Sequence, residues 1–175
     1  MRRSLILLAV AAAPLGAQQQ QSMAPNAGVA SAKAVWMVPH GFVAKALEQT
    51  PESLFSFKPT PDVRSLGALF AHVADAEHLF CALALGEPMP QPMDALEKGN
   101  KSKAELIQAL KESTAHCDKA YAQTDLAAQT PARFFGTDAN RLFLLNMNGA
   151  HDYEHYGNIV TYLRLKGIVP PSSQR

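Results

Sequence analysis

Six histidines stand in this chain of 175 residues: His40, His72, His78, His116, His151 and His155. His151 and His155 are four apart, and on a helix that spacing sets one imidazole above the other on one face. Two ring nitrogens so placed can converge on a single ion. Leu144, Met147, Ile159, Tyr162 and Leu165 fall on or beside that face, so the pair points toward an apolar interior. His72 lies in a second apolar stripe, with Leu69, Val73, Ala76, Leu79, Phe80 and Leu83, and it too faces inward. Three inward imidazoles are costly to bury without partners. A divalent ion held by neutral imidazole nitrogens would satisfy all three, with water or substrate on its open side. His72, His151 and His155 are therefore the candidate metal ligands. The plainer alternative is three core histidines, each hydrogen-bonded to a neighbour.

The other titratable residues are read more blandly. His78 lies about 240° around its helix from His72, and His116 sits in a mostly polar stretch. His40 follows Pro39 and is the one further ligand candidate. Asp75, Asp152 and Glu154 are placed to accept an imidazole N–H from behind. Asn158 and Tyr162, a turn or two beyond His155, are placed to contact bound water. No residue identifies a general base or a substrate.

Positioning these residues requires helices, and the periodicity predicts four with no strand. The first covers 31–49, with Val35, Val38, Phe42, Val43, Ala46 and Leu47 on one side and a kink or late start at Pro39. The second follows a Ser65 cap and stops at Gly86. The third starts at Ser102, with Glu105 placed for a capping box, and ends near 124. The fourth runs from about 137–138 to 166 and stops at Gly167. Between the second and third, the segment 86–101 can reach ~45 Å when extended, whereas a helix of about 20 residues is only ~30 Å long. It can return along the whole bundle. The expected fold is all-α, a four-helix bundle in up-down-down-up order with a long crossover between helices 2 and 3. Parallel second and third helices would also bring Cys81 and Cys117 to one level, as a disulfide or as two buried thiols.

The beginning of the chain reads as a secretory signal: Arg2 and Arg3, an apolar run over 5–13, then small residues to Ala17. The run is about half the ~20 residues that span a bilayer. The expected organisation is a signal peptide over 1–17, a disordered Gln-, Ala- and Pro-rich spacer over 18–30, and the bundle over 31–175. The mature protein is expected outside the cytoplasm, without stable membrane insertion. A net charge of +1, with scattered Lys and Arg, disfavours nucleic acid.

The wording around the histidines adds a resemblance. SLGALFAHVADAEHLF, with His72 at its centre, resembles the second helix of the DinB/YfiT-like family. NMNGAHDYEHYGNIVTYLRLKGIVPPSS resembles that family's last helix and tail, and FSFKPTPDVRS its approach to the first ligand helix. The likeness covers about 31–173. It implies an up-down-down-up bundle and three histidine ligands, at His72, His151 and His155, for a divalent metal, commonly zinc or nickel. Asn158 stands where many relatives carry Gln. Some relatives are thiol-dependent transferases or isomerases served by cytosolic thiols, which export would put out of reach. The expected function is thus metal-dependent hydrolysis of an unidentified small molecule. A non-catalytic metal or small-ligand binding module and a thiol-dependent transferase are the alternatives, and a homodimer is an admissible assembly.

Overall fold

The structure, a computed structural model, describes residues 26–174; the signal-peptide expectation and most of the spacer lie outside them. Four long helices dominate: α1 (Ala27–Gln49), α2 (Leu66–Leu85), α4 (Lys103–Ala120) and α6 (Arg141–Leu165). Two one-turn helices, α3 (Ala95–Lys98) and α5 (Asp125–Ala128), and a hairpin of β1 (Pro131–Phe134) and β2 (Thr137–Asn140) fill the connections.

Local chemistry sets most of the boundaries. Ser65 Oγ accepts the Ala68 N–H at the start of α2, and Gly86 closes it in the left-handed conformation at φ 81°. Ser102 and Glu105 form the capping box of α4. Asn140 caps α6 by accepting the Phe143 N–H at 2.8 Å.

Two helix starts differ from the sequence reading. α1 begins at Ala27 rather than at 31, because a distant carboxylate supplies its missing acceptors: Asp125 takes the N–H groups of Gly28 and Val29 at 2.9 and 2.8 Å. It then continues through Pro39, burying Val29, Ala32, Trp36, Pro39, Val43 and Ala46 at alternating steps of three and four. Val35 and Val38, expected inside, are exposed. α6 starts at Arg141, and the residues before it are a strand. Pro131 to Phe134 pairs antiparallel with Thr137 to Asn140 around a two-residue turn, Phe135-Gly136, with φ 46° and 85°. Such turns favour Asn-Gly or Asp-Gly, and neither strand alternates apolar with polar residues, so no local signal announced this hairpin.

Side-chain pairings fix how the helices lie. Along α2 and α4 the partners rise in step: Glu77 with Ser113, His78 with His116, Cys81 with Cys117, Ala84 with Gln123. Along α2 and α6 they run oppositely, Phe80 meeting His151 and the Arg64 carbonyl, just before α2, meeting Tyr162. α1 lies close on α6, where a side chain at Gly149 would come within 3.2 Å of the Trp36 backbone. Cys81 and Cys117 form a disulfide with a Cα–Cα distance of 5.1 Å, resolving the choice between bond and free thiols. The apolar interior forms two clusters, one around Phe70, Ile159 and Leu163, the other around Trp36, Phe80 and Leu144.

Candidate metal centre

His72 comes from the second turn of α2, His151 and His155 from the middle of α6, and the antiparallel pairing of these helices brings all three together. Nε2 of His151 lies 3.2 Å from Nε2 of His72 and 3.0 Å from Nε2 of His155. All three ligand atoms are within 4.8 Å of one another, close enough to share one ion. His155 is buried; the other two are half-buried.

A cluster of three imidazoles cannot satisfy itself. His151 Nε2 faces two other ring nitrogens, and a neutral ring can place at most one proton there. Burial pushes all three pKa values down, and the mutual repulsion of protonated rings adds to it for His151 and His155. His151 falls to about 3 and His155 to about 4; His72 is also lowered, by burial and then by the Arg64 charge. The rings are therefore neutral at pH 7, the state in which imidazole is a ligand.

Behind His72, Glu97 Oε2 lies 3.1 Å from Nδ1, and Arg64 Nε donates to Glu97 Oε1 at 2.8 Å. That carboxylate holds the His72 proton on Nδ1 and leaves the Nε2 lone pair facing the other two rings. Glu97 lies in the crossover on the one-turn helix α3. That helix is anchored by Asp75, whose carboxylate accepts the N–H groups of Leu96 and Glu97. Asp75 thus acts on the backbone of α3, not on an imidazole. Behind His155 stands the Asn158 amide, at 3.5 Å from Nδ1. His151 Nδ1 is buried with no hydrogen-bond partner among the described residues.

Other expectations are redistributed. Tyr162 donates its hydroxyl to the Arg64 carbonyl at 2.8 Å and so orients the approach to α2 rather than a water. Glu154 is exposed. Asp152 and His40 belong to a separate buried group centred on Glu77. Glu77 Oε1 accepts from Trp36 Nε1 at 3.0 Å and faces His40 Nδ1 at 2.6 Å, while Oε2 accepts from Ser113. Those contacts hold the Glu77 carboxyl below its usual range against the opposing effect of burial. Asp152 beside it, fully buried and facing that negative charge, is pushed well above the usual carboxylate range. These residues too lie close enough to hold an ion, but Trp36, His40 and Ser113 already direct donors at Glu77. His78 and His116 meet each other with tilted rings, centroids 4.6 Å apart, outside both groups.

A cavity of about 310 Å³ opens beside the three histidines, lined by Arg64, His72, Phe80, Phe134, Phe135 and His151 among others. Of the larger hollows, one of about 370 Å³ beside Glu52 and Phe55 carries no imidazole, and one of about 400 Å³ beside Asp75 is lined by His78 and His116, away from the three candidate ligands. Sequence reasoning missed Glu97, the role of Arg64 and the hairpin aromatics, since nothing in their local pattern ties them to the histidines.

The model of the DinB superfamily matches residues 43–159, which include all three histidines. The chain belongs to the DinB superfamily. Solved structures agree on the fold. A DinB-like protein from Bacillus cereus superposes with a TM-score of 0.71 at 17% identity, covering 81% of this chain and 95% of that one. A DinB-like protein from Bacillus subtilis gives 0.65 at 20% identity, with coverages of 83% and 99%. A histidine-to-alanine variant of the mycothiol-dependent maleylpyruvate isomerase also gives 0.65 at 17% identity, with coverages of 75% and 60%. No curated protein matches the chain.

Proposed function

We propose that this protein binds one divalent metal ion through Nε2 of His72, His151 and His155 and uses it to hydrolyse a small molecule outside the cytoplasm. The observation that carries the reading is the convergence of three neutral ring nitrogens. Ligand nitrogens ~2.1 Å from one ion lie about 3.4 Å apart at the tetrahedral angle and about 3.0 Å apart at a right angle, and the two shortest separations are 3.0 and 3.2 Å. The order up-down-down-up for α1, α2, α4 and α6 belongs to the same proposal and is supported by the in-step pairings of α2 with α4 and the opposed pairings of α2 with α6. Zinc and nickel are among the ions that suit an all-imidazole set.

A bound divalent ion supplies Lewis acidity that polarises a carbonyl and acidifies water. The chain's own residues prepare the place. Burial keeps the rings unprotonated, Glu97 fixes the His72 tautomer, Arg64 fixes Glu97, and the cavity offers the open side. The likeness to a mycothiol-dependent enzyme favours thiol-dependent transfer as a second reading; the signal-like beginning of the chain favours hydrolysis, since cytosolic thiols would be out of reach.

Elemental analysis after purification without chelator is expected to find about one zinc or nickel per chain, and His72→Ala, His151→Ala or His155→Ala to lose it. The loaded protein is then screened against ester, amide and thiol-adduct substrates. Hydrolysis abolished by His151→Ala supports the enzyme; metal binding with turnover of none of them would leave a binding module. Intact mass from the native host tests export, with a mature chain expected to begin at Gln18. A metal-free protein whose histidine NMR signals ignore added zinc and nickel would refute the whole reading.

A further inference from the structure

We propose that the cavity beside the histidines takes a small amphipathic monocarboxylate, its anionic end between Arg64 and the three histidines and its aromatic body against Phe80, Phe134 and Phe135. The proposal deepens the metal reading and rests on it for one of the two anionic contacts. The lining has two characters. The imidazoles of His72 and His151 share the wall with Arg64. Arg64 is tethered through Nε to Glu97, which leaves the remaining N–H groups of a forked guanidinium to meet a carboxylate. The rest of the wall includes a continuous run of aromatic rings. Phe80 stacks on Phe134 with centroids 5.3 Å apart, Phe134 meets Phe135 edge-on at 4.6 Å, and Phe80 meets the His151 ring at 5.5 Å.

Phe135 is the informative residue. It stays 61% exposed and takes φ 46° in the hairpin turn, a conformation that costs a bulky side chain what it does not cost Asn or Gly. Core packing explains neither property, whereas an aromatic guest in the cavity would cover the ring. The charges narrow the class further. Asp94 and Glu97 also line the cavity, and Glu97 is already paired with Arg64, so a second negative charge on the guest meets repulsion. A volume of about 310 Å³ sits at the small end of ligand cavities. An arylalkanoate fits this description better than a phosphate ester or a dicarboxylate.

The test is calorimetric binding of three probes to the zinc-loaded full chain: 4-phenylbutyrate, 4-phenyl-1-butanol and butyrate. The phenylbutyrate is expected to bind about tenfold tighter than either of the others. Arg64→Gln should erase its advantage over the alcohol, and Phe135→Ser should cut its advantage over butyrate. Far-UV circular dichroism and cooperative thermal unfolding of the same variants should stay near wild type, which shows an intact fold; zinc is kept saturating, because Arg64→Gln also removes the partner of Glu97. Equal binding of phenylbutyrate and the alcohol, or an advantage that survives Arg64→Gln, overturns the proposal while leaving the metal reading standing. Failure of zinc to bind sinks the metal reading alone. The Arg64-dependent preference is then measured in the metal-free protein, where its presence supports the pocket and its absence overturns it.

Discussion

Acid should destabilise the metal-free protein through the three histidines, and the size of the effect follows from their surroundings. Burial and mutual repulsion lower His151 to about 3 and His155 to about 4, and lower His72 as well. In the unfolded chain each titrates near 6.5. Above that pH both states are neutral and the histidines contribute nothing to the pH dependence. Below it the unfolded state takes up protons that the folded state refuses, so stability falls by about 1.4 kcal/mol per pH unit for each histidine until its folded pKa is reached. From pH 6.5 to 4.5, His151 and His155 together account for up to about 5 kcal/mol, less whatever solvent reaches the half-buried ring. A domain of this size has about 5–15 kcal/mol in total. Asp152 acts in the opposite sense: its carboxyl is held well above the usual range, so its contribution improves as the pH falls toward the ordinary carboxylate value. The measurement must therefore be a difference. Urea unfolding in EDTA at pH 7.5, 6.5, 5.5 and 4.5, on wild type and on His151→Gln/His155→Gln, is expected to give similar slopes above 6.5. Below it the variant should be shallower by up to about 2.7 kcal/mol per pH unit. Parallel curves down to pH 4.5 would show that these rings titrate normally in the fold, and the argument for a pre-neutralised ligand set would fail.

Further expectations rest on other parts of the structure. Zinc at about a hundredfold over its dissociation constant should stabilise the fold by about 2.7 kcal/mol, read as a rise in melting temperature that EDTA reverses and that His72→Ala lacks. Cys81→Ala/Cys117→Ala opens a cross-link spanning a sequence separation of 36 and should cost about 3–4 kcal/mol in urea unfolding, leaving zinc affinity unchanged. Asp125→Ala removes the acceptor of the first N–H groups of α1 and should cost about 1 kcal/mol, with hydrogen exchange at Gly28 and Val29 accelerating first. Glu77→Leu leaves Trp36 Nε1, His40 and Ser113 without their acceptor beside a buried Asp152 and should cost about 3–5 kcal/mol. A melting temperature unchanged by that substitution would mean the group is wet and loosely held.

The parts of the fold written in local chemistry were legible. Ser65, Gly86, Ser102 and Glu105 act within a turn of themselves, and Cys81 and Cys117, expected at one level, are joined in a disulfide. What escaped is written across the chain. The start of α1 depends on Asp125, almost a hundred positions away in sequence, so no reading of the Ala- and Ser-rich segment around 27–30 could supply its cap. The hairpin depends on what it packs against: Phe134 turns inward onto Phe80, and the strands themselves lack the alternation that makes a strand visible. Val35 and Val38 were misplaced because a stripe for α1 can be drawn through two adjacent sets of residues, and only the close approach of Trp36 to Gly149 decides between them.

The site divides along the same line. A histidine pair four apart is a local fact, and one apolar stripe suffices to aim His72 inward, so the three rings could be named before their distances were known. Their partners could not. Glu97 reaches His72 from a one-turn helix that stays in place because Asp75, three residues after His72, accepts its backbone N–H groups. The carboxylate that seemed poised to orient an imidazole instead holds the segment that carries the one that does. Asp75→Asn should separate these roles. It keeps the side chain's size and one acceptor but loses the charge that holds the two N–H groups, so α3 loosens and Glu97 withdraws from His72. Zinc affinity should then fall about tenfold, within the range for a lost partner behind a ligand, and Glu97→Gln should produce the same loss without loosening α3. The double variant should be no worse than either alone, because both changes cut one chain of contacts. Additive losses would mean that Asp75 acts on the site directly, through its charge on His72, and not through the crossover.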